Sequence, residues 1–315
     1  MFIFVTISLI YIKVMKSILI FGGAGFVGKH LVRRLAKKGH KIIIPYQKSV
    51  NEAKIRLLGT PGQIIPFRYS SLNDERLLSI ITKVEICINL KTTYDQKKTD
   101  FNRSIFKFNQ KLIKILRSNK DLKQYIFFSG LGADLDKNST RSMAVHKSEK
   151  EAFKYLKNSI IVRPGVIIGG GDIFMKRLIP IFKMSFFVPL FGNGLTKFQP
   201  VFIDDVSYAI EKIIDNNINR QSIFELAGPI IINYKEFYNY ISKCLKKTRV
   251  LVPTPISMLK PLIGLAEKTP FSPLTSEQLL LFEKDNIIQN IDKSFVDLKI
   301  NPQDTLQIVK KIIEK

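Results

Sequence analysis

Cysteine and histidine are scarce in this sequence: its 315 residues include two cysteines, three histidines and no tryptophan. Cys87 and Cys244 lie far apart in the chain, and neither a CxxC pair nor a Cys/His cluster occurs. This pattern argues against a disulfide framework and against a cysteine-ligated metal. We therefore expect a cytoplasmic protein with reduced thiols and without a metal site.

Acidic residues are also few relative to basic ones. The chain has 26 Asp and Glu against 50 Lys and Arg, a net charge of +24, which points to a nucleic-acid or anionic-membrane partner. A groove that binds single-stranded nucleic acid is expected to combine basic residues with aromatic ones. No block of this chain alternates the two. We interpret most of the charge as solvated surface and expect no nucleic-acid partner. A basic face resting on an anionic membrane is the alternative.

The apolar run at the N-terminus, Met1–Ile12, is shorter than the roughly 20 residues that span a bilayer. It has no positive charge before it and no small-residue cleavage site after it, so it does not fit a signal peptide. We interpret residues 1–14 as an upstream extension before a start at Met15, with a short membrane-associating tail as the alternative. The predicted location is cytoplasmic, with peripheral contact at the inner face of the membrane as a second option.

A strand, a glycine-rich turn and a helix follow directly. The apolar run Ser17–Phe21 is typical of a buried parallel strand. Glycines at three-residue spacing come next, and then a segment with helical periodicity that ends at Gly39. In such a unit the glycines let the backbone approach a pyrophosphate, which the helix N-terminus binds. The predicted nucleotide contacts come from Gly22, Gly25, Phe26, Val27, Gly28 and Lys29.

The end of the second strand bears on which dinucleotide binds. NAD sites usually place an Asp or Glu there, about 20 residues past the glycines, to hold the ribose 2′-hydroxyl. Here the segment "IIIPYQKS" brings no acid before Glu52, and basic residues nearby are suited to a 2′-phosphate. These residues are Lys29, Lys48 and the pair Arg33 and Arg34. The predicted cofactor is NADP(H), with NAD(H) as the alternative.

Strand-like and helix-like segments alternate up to about residue 170, and the rhythm loosens afterwards. This alternation predicts an α/β fold, a Rossmann-like doubly wound parallel sheet with a small C-terminal lobe. Residues 15–170 are expected to form the NAD(P)-binding domain. Residues 171–315 are expected to hold the remaining Rossmann elements and the lobe. One of those elements, "VFIDDVSYAIEKIID", predicts a helix capped by Asp204 or Asp205.

Segments spread over residues 21–286 resemble one known family. They read, in order, "FGGAGFVGKHLV", "PYQK", "FFSGLGAD", "HKSEKEAF", "VRPGVIIGGGD", "FQPVFIDDV", "FELAGP", "LVPTPISML" and "PFSPLTSEQLLLFEKDN". The chain is similar to the atypical short-chain dehydrogenases that include the Rossmann-fold accessory subunit of respiratory complex I and bacterial proteins of the NAD-dependent epimerase/dehydratase type. The resemblance implies a tightly bound NADP(H) and a structural or regulatory role beside a quinone-reducing membrane complex. Relatives are also connected with ubiquinone synthesis.

The catalytic pair of that family is altered here. In short-chain dehydrogenases a tyrosine is the general acid/base, and a lysine one helical turn later lowers its pKa and holds the nicotinamide ribose. Aligning "KSEKEA" with the family pattern puts Lys147 at the lysine and Met143 at the tyrosine, and a thioether does not exchange protons. His146 and Lys150 have the same spacing, but they lie about 60° around the helix from that pair. We therefore favour a surface position for His146 over a catalytic one.

Other positions of the resemblance concern the nicotinamide end. Ser129, at the end of its strand, matches the family's serine that hydrogen-bonds a substrate carbonyl, and an ordinary polar strand end is the alternative. The triplet "RPG", which contains Pro164, is retained and implies an intact backbone beside the nicotinamide. After the fourth strand the family has a small glycine, where this chain has Lys91 and Thr92.

Three functions follow from these observations. The leading prediction is a non-catalytic Rossmann subunit that binds NAD(P)H and supports respiratory complex I or a quinone-related membrane assembly. The second is an active NADP-dependent oxidoreductase or epimerase that uses Ser129 and Lys147, or His146. The third is an RNA-binding atypical dehydrogenase, which only the positive charge suggests. For the first function we expect a partner surface, and the apolar stretch Val250–Phe282 is the candidate, with ordinary packing within the small lobe as the favoured alternative for that stretch.

Overall fold

The computed structural model describes residues 15–47, 50–92, 100–136, 138–266, 275–288 and 293–314. The strands are β1 (Ser17–Phe21), β2 (Lys41–Tyr46), β3 (Ile64–Arg68), β4 (Ile86–Asn89), β5 (Gln124–Phe128), β6 (Ser159–Pro164), β7 (Ile167–Ile168), β8 (Phe187–Phe191), β9 (Lys197–Phe198), β10 (Val201–Phe202), β11 (Ser222–Leu226), β12 (Ile232–Asn233) and β13 (Val250–Thr254). The helices are α1 (Phe26–Lys37), α2 (Glu52–Arg56), α3 (Glu75–Ile81), α4 (Phe108–Leu116, preceded by a π-helical turn at Asn102–Lys107), α5 (Thr140–Tyr155), α6 (Ile173–Met184), α7 (Ile203–Asp215), α8 (Tyr234–Cys244), α9 (Ile256–Ala266), α10 (Ser276–Leu280) and α11 (Thr305–Ile313).

Seven strands form the central sheet, in the order β11-β6-β5-β4-β1-β2-β3, and every pairing is parallel. Strands β4, β5 and β6 are buried along their whole length, as expected where helices cover both faces of a sheet. The strand order reverses at β1, so the loops that follow β1 and β4 leave the sheet in opposite directions and open a crevice. The predicted doubly wound Rossmann-like sheet is confirmed.

Different helices cover the two faces of this sheet. Helices α1 and α7 pack on one face, and α3, α4 and α5 pack on the other. The apolar side chains that the sequence assigns to the core face of α7 are fully buried there: Val206, Ala209, Ile210, Ile213 and Ile214. The helical periodicity of this segment therefore predicts its packing correctly.

Charged side chains join α1 to α7 at the edge of this core. The buried carboxylate of Glu211 pairs with Arg34 at 3.2 Å and with Lys38 at 2.7 Å. The pairing with Glu211, followed by that with Asp215, raises the pKa of Lys38. Helix α1 is thereby fixed along its last turns as well as through its apolar face.

The two aspartates at the start of α7 also have partners outside their own helix. The N-cap of α7 is Phe202, which makes no side-chain cap, so the expectation that Asp204 or Asp205 caps this helix is wrong. Asp204 instead lies 2.9 Å from Nδ1 of His30 on α1. Asp205 accepts a hydrogen bond from the backbone N–H of Gln303 at 2.8 Å. Tertiary contacts therefore outweigh the local capping preference at this site.

A third apolar core lies in the C-terminal lobe, around α6, α8, α11 and the strand pair β8 and β13. Aromatic rings form its centre: Phe198 stacks on Tyr234 with 4.4 Å between ring centroids and meets Phe237 edge-on at 5.2 Å. Such ring geometries add to the stabilisation from burial alone. Within the described ranges, no helix combines the length and the apolar character that crossing a membrane requires.

Glu277 connects this lobe to the start of α5. Its buried carboxylate accepts hydrogen bonds from the hydroxyl of Ser139 at 2.6 Å and from the backbone N–H and hydroxyl of Thr140 at 3.1 and 2.5 Å. Ser139 is the N-cap of α5, where a negative charge is stabilising. Lys284 pairs with Asp136 at 3.0 Å nearby. The lobe therefore holds the helix that carries Met143 and Lys147.

Replacing Glu277 with glutamine should weaken this junction, because an amide NH₂ group would face donors from Ser139 and Thr140. We expect Glu277→Gln to lower the free energy of unfolding of the full chain by about 1–3 kcal/mol, measured by denaturant titration. Glu283→Gln is the matched control, since Glu283 is exposed and pairs only with Lys260 in the contacts described. The control should change stability by less than about 0.5 kcal/mol. Equal effects of the two substitutions would contradict this role of Glu277.

Candidate dinucleotide-binding site

Close backbone packing requires glycine in the turn between β1 and α1. Gly22 has a φ of +81°, a conformation that favours glycine, and a Cβ there would lie 3.2 Å from backbone atoms of Leu90 after β4. A Cβ on Gly28 would lie only 2.4 Å from the carbonyl oxygen of Gly22. The amide of Gly25 donates to that same oxygen at 3.0 Å. Helix α1 therefore starts in direct contact with the end of β1, at the reversal of the strand order.

The first turn of α1 has the features of an anion site. Gly25 is the N-cap and contributes no side-chain acceptor, and the turn contains no acidic residue. The amides of Phe26, Val27 and Gly28 have no acceptor one turn earlier in the helix, and the positive end of the helix dipole lies at the same place. Lys29 is exposed in the next position. This arrangement fits a pyrophosphate group held by backbone amides.

The basic residues predicted to meet a 2′-phosphate do not form one group. Lys48 lies outside the described residues. The guanidinium of Arg34 pairs with Glu211 and lies 5.0 Å from the ring centroid of Tyr208, both on α7, so it is directed away from the glycine turn. Arg33 and Lys29 are exposed. Arg34 is therefore removed from the set that could contact a nucleotide.

Glu52, the first acid after β2, folds back onto the end of that strand. Its carboxylate accepts a hydrogen bond from the hydroxyl of Tyr46 and one from Arg56 at 3.2 Å. The bond from Tyr46, and then that from Arg56, lowers the pKa of Glu52. Glu52 therefore lies close to the end of β2, although the strand itself ends without an acid, and two side chains already bind its carboxylate.

Polar contacts also connect the strand ends around the crevice. The ammonium group of Lys91, at the position of the family's glycine, donates to Gln47 at 3.2 Å and lies 4.0 Å from the ring centroid of Phe108. Gln47 in turn donates to the carbonyl of Ser70 at 3.0 Å. Lys91 therefore belongs to a chain of contacts from the end of β4 through β2 to β3.

On α5, Met143 and Lys147 are both exposed and lie one turn apart, so they share one face of the helix. His146 differs from them in its surroundings. It is half-buried, and its Nδ1 lies 3.3 Å from the carboxylate of Glu149. His146 is thus a structural partner of Glu149 and is turned about 60° around the helix axis from Met143.

Ser129 is buried at the end of β5, where its hydroxyl donates to Glu149 at 2.5 Å. Arg163 of β6 donates to the same carboxylate through Nε at 2.9 Å and Nη2 at 2.7 Å. Its Nη1 contacts Asp134 at 3.1 Å and Glu225 at 3.4 Å. We refer to these five residues as the Arg163 cluster. The Ser129 hydroxyl is therefore engaged inside the protein by a carboxylate.

Apart from Ser129, the members of the Arg163 cluster are not among the predicted site residues, although the sequence contains a signal for them. Arg163 and Glu225 are charged residues within otherwise apolar strands, "SIIVRP" and "SIFEL", and they are direct neighbours in the parallel register of β6 and β11. Burial acts to lower the pKa of Arg163, but the hydrogen bonds and charge of Glu149 and Asp134 raise it above its ordinary value. Charges buried within strands are expected to have such partners.

Known proteins are similar to this chain in sequence and in fold. The profile of the NAD-dependent epimerase/dehydratase family matches residues 18–227, more than half of the chain. The chain belongs to this family. The match begins in β1 and ends just after β11, so it spans the whole central sheet and the glycine turn.

Two mitochondrial proteins whose names describe their assembly are similar to this chain. This chain is 27% identical over 296 residues to the "NADH dehydrogenase [ubiquinone] 1 alpha subcomplex subunit 9, mitochondrial" of Arabidopsis thaliana. The match covers 90% of this chain and 73% of that protein. The chain is 24% identical over 288 residues to the "NADH-ubiquinone oxidoreductase 40 kDa subunit, mitochondrial" of Neurospora crassa, covering 90% and 75%. These two matches agree with the resemblance noted in the sequence.

A solved structure of a human epimerase family protein with NADPH is also similar. Its TM-score is 0.67 at 15% sequence identity, and the match covers 95% of this chain and 99% of that chain. At this level of identity the likeness concerns the fold alone. It supports the assignment of the present chain to the extended Rossmann-like architecture of the epimerase/dehydratase family.

A methyl group at Gly28 should disrupt the glycine turn, because it would press on the Gly22 carbonyl oxygen at 2.4 Å. We expect Gly28→Ala to reduce the amount of co-purified nucleotide by at least about tenfold and to lower the free energy of unfolding by about 1–3 kcal/mol. The released nucleotide is quantified after denaturation. Gly264→Ala on α9 is the control, since nothing lies within 4 Å of its added carbon. Normal nucleotide content in Gly28→Ala would show that the ligand does not bind at this turn.

The variant Ser129→Ala distinguishes a structural role of Ser129 from a catalytic one. Loss of the hydrogen bond to the Glu149 carboxylate should lower the free energy of unfolding by about 1.5–3 kcal/mol and leave the nucleotide content unchanged. Ser79→Ala removes a hydroxyl whose described bond is to the carbonyl of Arg76 at the surface, so it should change stability by less than about 0.5 kcal/mol. If Ser129→Ala instead kept full stability and abolished a hydride-transfer activity, Ser129 would be a catalytic residue.

Proposed function

We propose that this protein is an NADP(H)-binding, non-catalytic subunit that supports respiratory complex I or a related quinone-reducing membrane assembly. In this proposal the nucleotide is a permanent structural cofactor, and the protein binds peripherally at the inner face of the membrane. The observation that carries the proposal is the pairing of an anion-binding glycine turn with a methionine, Met143, in place of the catalytic tyrosine.

The cofactor part of the proposal is supported by the fit of the residues around the crevice. A pyrophosphate is assigned to the amides of the first turn of α1, and Pro164, at the end of β6, to the border of the nicotinamide. Lys147 is assigned to the nicotinamide ribose. For the 2′-phosphate we propose Lys29 and Lys48, because Glu52 is already bound by two side chains.

The absence of turnover is supported by the side chains at the positions that would transfer protons or bind a substrate. Met143 cannot transfer a proton, and the Ser129 hydroxyl donates to Glu149 instead of facing a substrate. His146 contacts the same carboxylate. The Glu277 contact adds a further restraint, because it fixes the start of α5 to the C-terminal lobe.

The assignment to complex I is supported by the names of the two mitochondrial relatives, which describe subunits of NADH dehydrogenase. Both matches extend over 90% of this chain, so they include the C-terminal lobe as well as the nucleotide-binding part. A subunit role also accounts for a retained cofactor site without a complete catalytic set, since fold and chemistry can be separated in evolution.

An active oxidoreductase or epimerase is the second candidate, and the exposed position of Lys147 favours it. This lysine lies on the same helix face as Met143, so only the acid of the family's pair is missing. Lys147 would then hold the nicotinamide ribose as in the first proposal, and a group from the substrate or another residue would supply the proton.

The two candidates make different predictions for the purified full chain. We expect denaturation to release about one NADP(H) per chain, by analogy with tightly held cofactors. The holoprotein should not change the absorbance of the reduced nicotinamide when it is given a panel of carbonyl substrates. Substrate-dependent oxidation that is lost in Lys147→Ala would support the enzyme instead. Absence of any nucleotide would overturn both candidates.

Lys147→Ala should also weaken nucleotide binding by about tenfold, because it removes one charged hydrogen bond to the ribose. Lys150→Ala is the matched control, since Lys150 is exposed on the same helix but lies off the face of Met143 and Lys147. We expect its affinity to stay within about twofold of the original chain. Titration of the nucleotide-free protein, followed by fluorescence of NADPH, measures both variants. Equal affinities for the two variants would remove Lys147 from the proposed site.

A further inference from the structure

The strand pair β8 and β13 in the C-terminal lobe has apolar side chains on both of its faces. Val188 and Leu190 of β8 point into the core of the lobe. The alternate positions point outward, and there Phe187 is 61% exposed beside the exposed Val250 and Val252 of β13. A half-buried sheet normally has polar residues on its solvent face. This outer face therefore needs an explanation beyond the stability of the fold.

Exposed apolar side chains also occur in the segments that flank these two strands in the chain. Met184 is 86% exposed at the end of α6, and Phe186 follows it. Helix α9 directly follows β13 and exposes Met258, Leu262 and Leu265. We call this surface the lobe apolar face, formed by Met184, Phe186, Phe187, Val250, Val252, Met258, Leu262 and Leu265. Groups of exposed apolar side chains mark sites of interaction.

Positive charges predominate in the segments that form the lobe apolar face. Residues 173–191 and 243–266, which supply all eight of its members, contain three and five Lys or Arg respectively and no Asp or Glu. The two segments meet at the start of β13, where Arg249 donates to the carbonyl of Phe182 at 2.7 Å and Lys247 donates to that of Lys183 at 3.0 Å. Glu283, from outside these segments, is paired with Lys260 at 2.8 Å. The apolar side chains thus lie next to an exposed group of positive charges.

We propose that the lobe apolar face binds the surface of an anionic lipid bilayer. Apolar side chains flanked by lysines and arginines are the combination that inserts at the boundary between headgroups and acyl chains. Positive charge without matching acids favours anionic lipid headgroups. A protein partner would need an acidic complement around an apolar patch, whereas an anionic membrane presents both features over its whole surface.

This inference deepens the proposed function, because it names the surface through which the subunit contacts its membrane. It rests on that function only for its setting in the cell. Binding of the purified chain to lipid does not require nucleotide or complex I, so the two proposals can fail separately.

Vesicle flotation of the full chain tests the inference. We expect the protein to float with phosphatidylcholine vesicles that contain about 30% phosphatidylglycerol, and to bind vesicles of phosphatidylcholine alone at least about tenfold more weakly. Binding should decrease as salt is raised to about 0.5 M. Phe187→Ser combined with Val252→Thr should lower binding by about tenfold, and so should Lys183→Glu combined with Lys246→Glu.

Matched controls separate this face from general hydrophobicity and charge. Leu57→Ser removes an apolar side chain that is 82% exposed on the nucleotide-binding part, and Lys37→Glu with Lys41→Glu changes the same number of charges on α1 and β2. All variants should retain the nucleotide content and melting temperature of the original chain, because the changed side chains are exposed. The control variants should bind vesicles as the original chain does.

Several results would overturn the proposal. Equal binding of the face variants and the controls would assign the membrane affinity to another part of the chain, residues 1–14 included. Absence of vesicle binding, together with a dimer that becomes monomeric in Phe187→Ser with Val252→Thr by light scattering, would make the lobe apolar face an interface between two copies. If the chain neither binds vesicles nor forms a dimer, the lobe apolar face lacks the lipid affinity that we assign to it, and the inference is wrong.

Discussion

The ends of the central strands beside the crevice depend on the contacts of the buried Arg163 guanidinium. It joins β6 to α5 through Glu149, to β11 through Glu225 and to the loop after β5 through Asp134. A buried charge must be matched by opposite charge and hydrogen bonds, since breaking such a pair costs about 3–5 kcal/mol. Because Glu149 also accepts the Ser129 hydroxyl, the same network fixes the end of β5. The strand ends beside the crevice are therefore positioned by one set of charges.

The sequence predicts the parts of this molecule that depend on local patterns. The glycine spacing after β1, the apolar strands and the core face of α7 follow from periodicity and backbone sterics, and the structure agrees with each. The contacts of Asp204, Glu149 and Glu277 could not be predicted in this way. Each pairs with residues that are close only in the folded chain, and a carboxylate in the sequence carries no record of its distant partner. The capping prediction failed for Asp204 because the helix begins one residue earlier, at Ile203 after the N-cap Phe202, and Asp204 contacts a histidine on another helix.

The candidate site keeps the backbone features of an anion-binding turn, whereas the side chain of Met143 cannot transfer a proton. Backbone features at the glycine turn are set by sterics, so they persist as long as the fold does. The side chains for proton transfer are under no such constraint. Met143 stands at the position of the family's tyrosine, and the hydroxyl of Ser129 makes a structural hydrogen bond to Glu149. A nucleotide in such a site would stabilise the fold by mass action, in the same way as any ligand that binds only the native state. Retention of the site is then understandable without turnover.

The position of β11 also has a consequence for the synthesis of the chain. This edge strand comes from Ser222–Leu226, whereas its neighbour β6 ends at Pro164. Until the ribosome has passed β11, the apolar β6 has an unpaired edge, and Arg163 lacks Glu225. Open edges of this kind pair readily with other chains. The nucleotide-binding half therefore cannot complete its sheet before two thirds of the polypeptide exist, and nascent chains that stall in between are the species most exposed to aggregation.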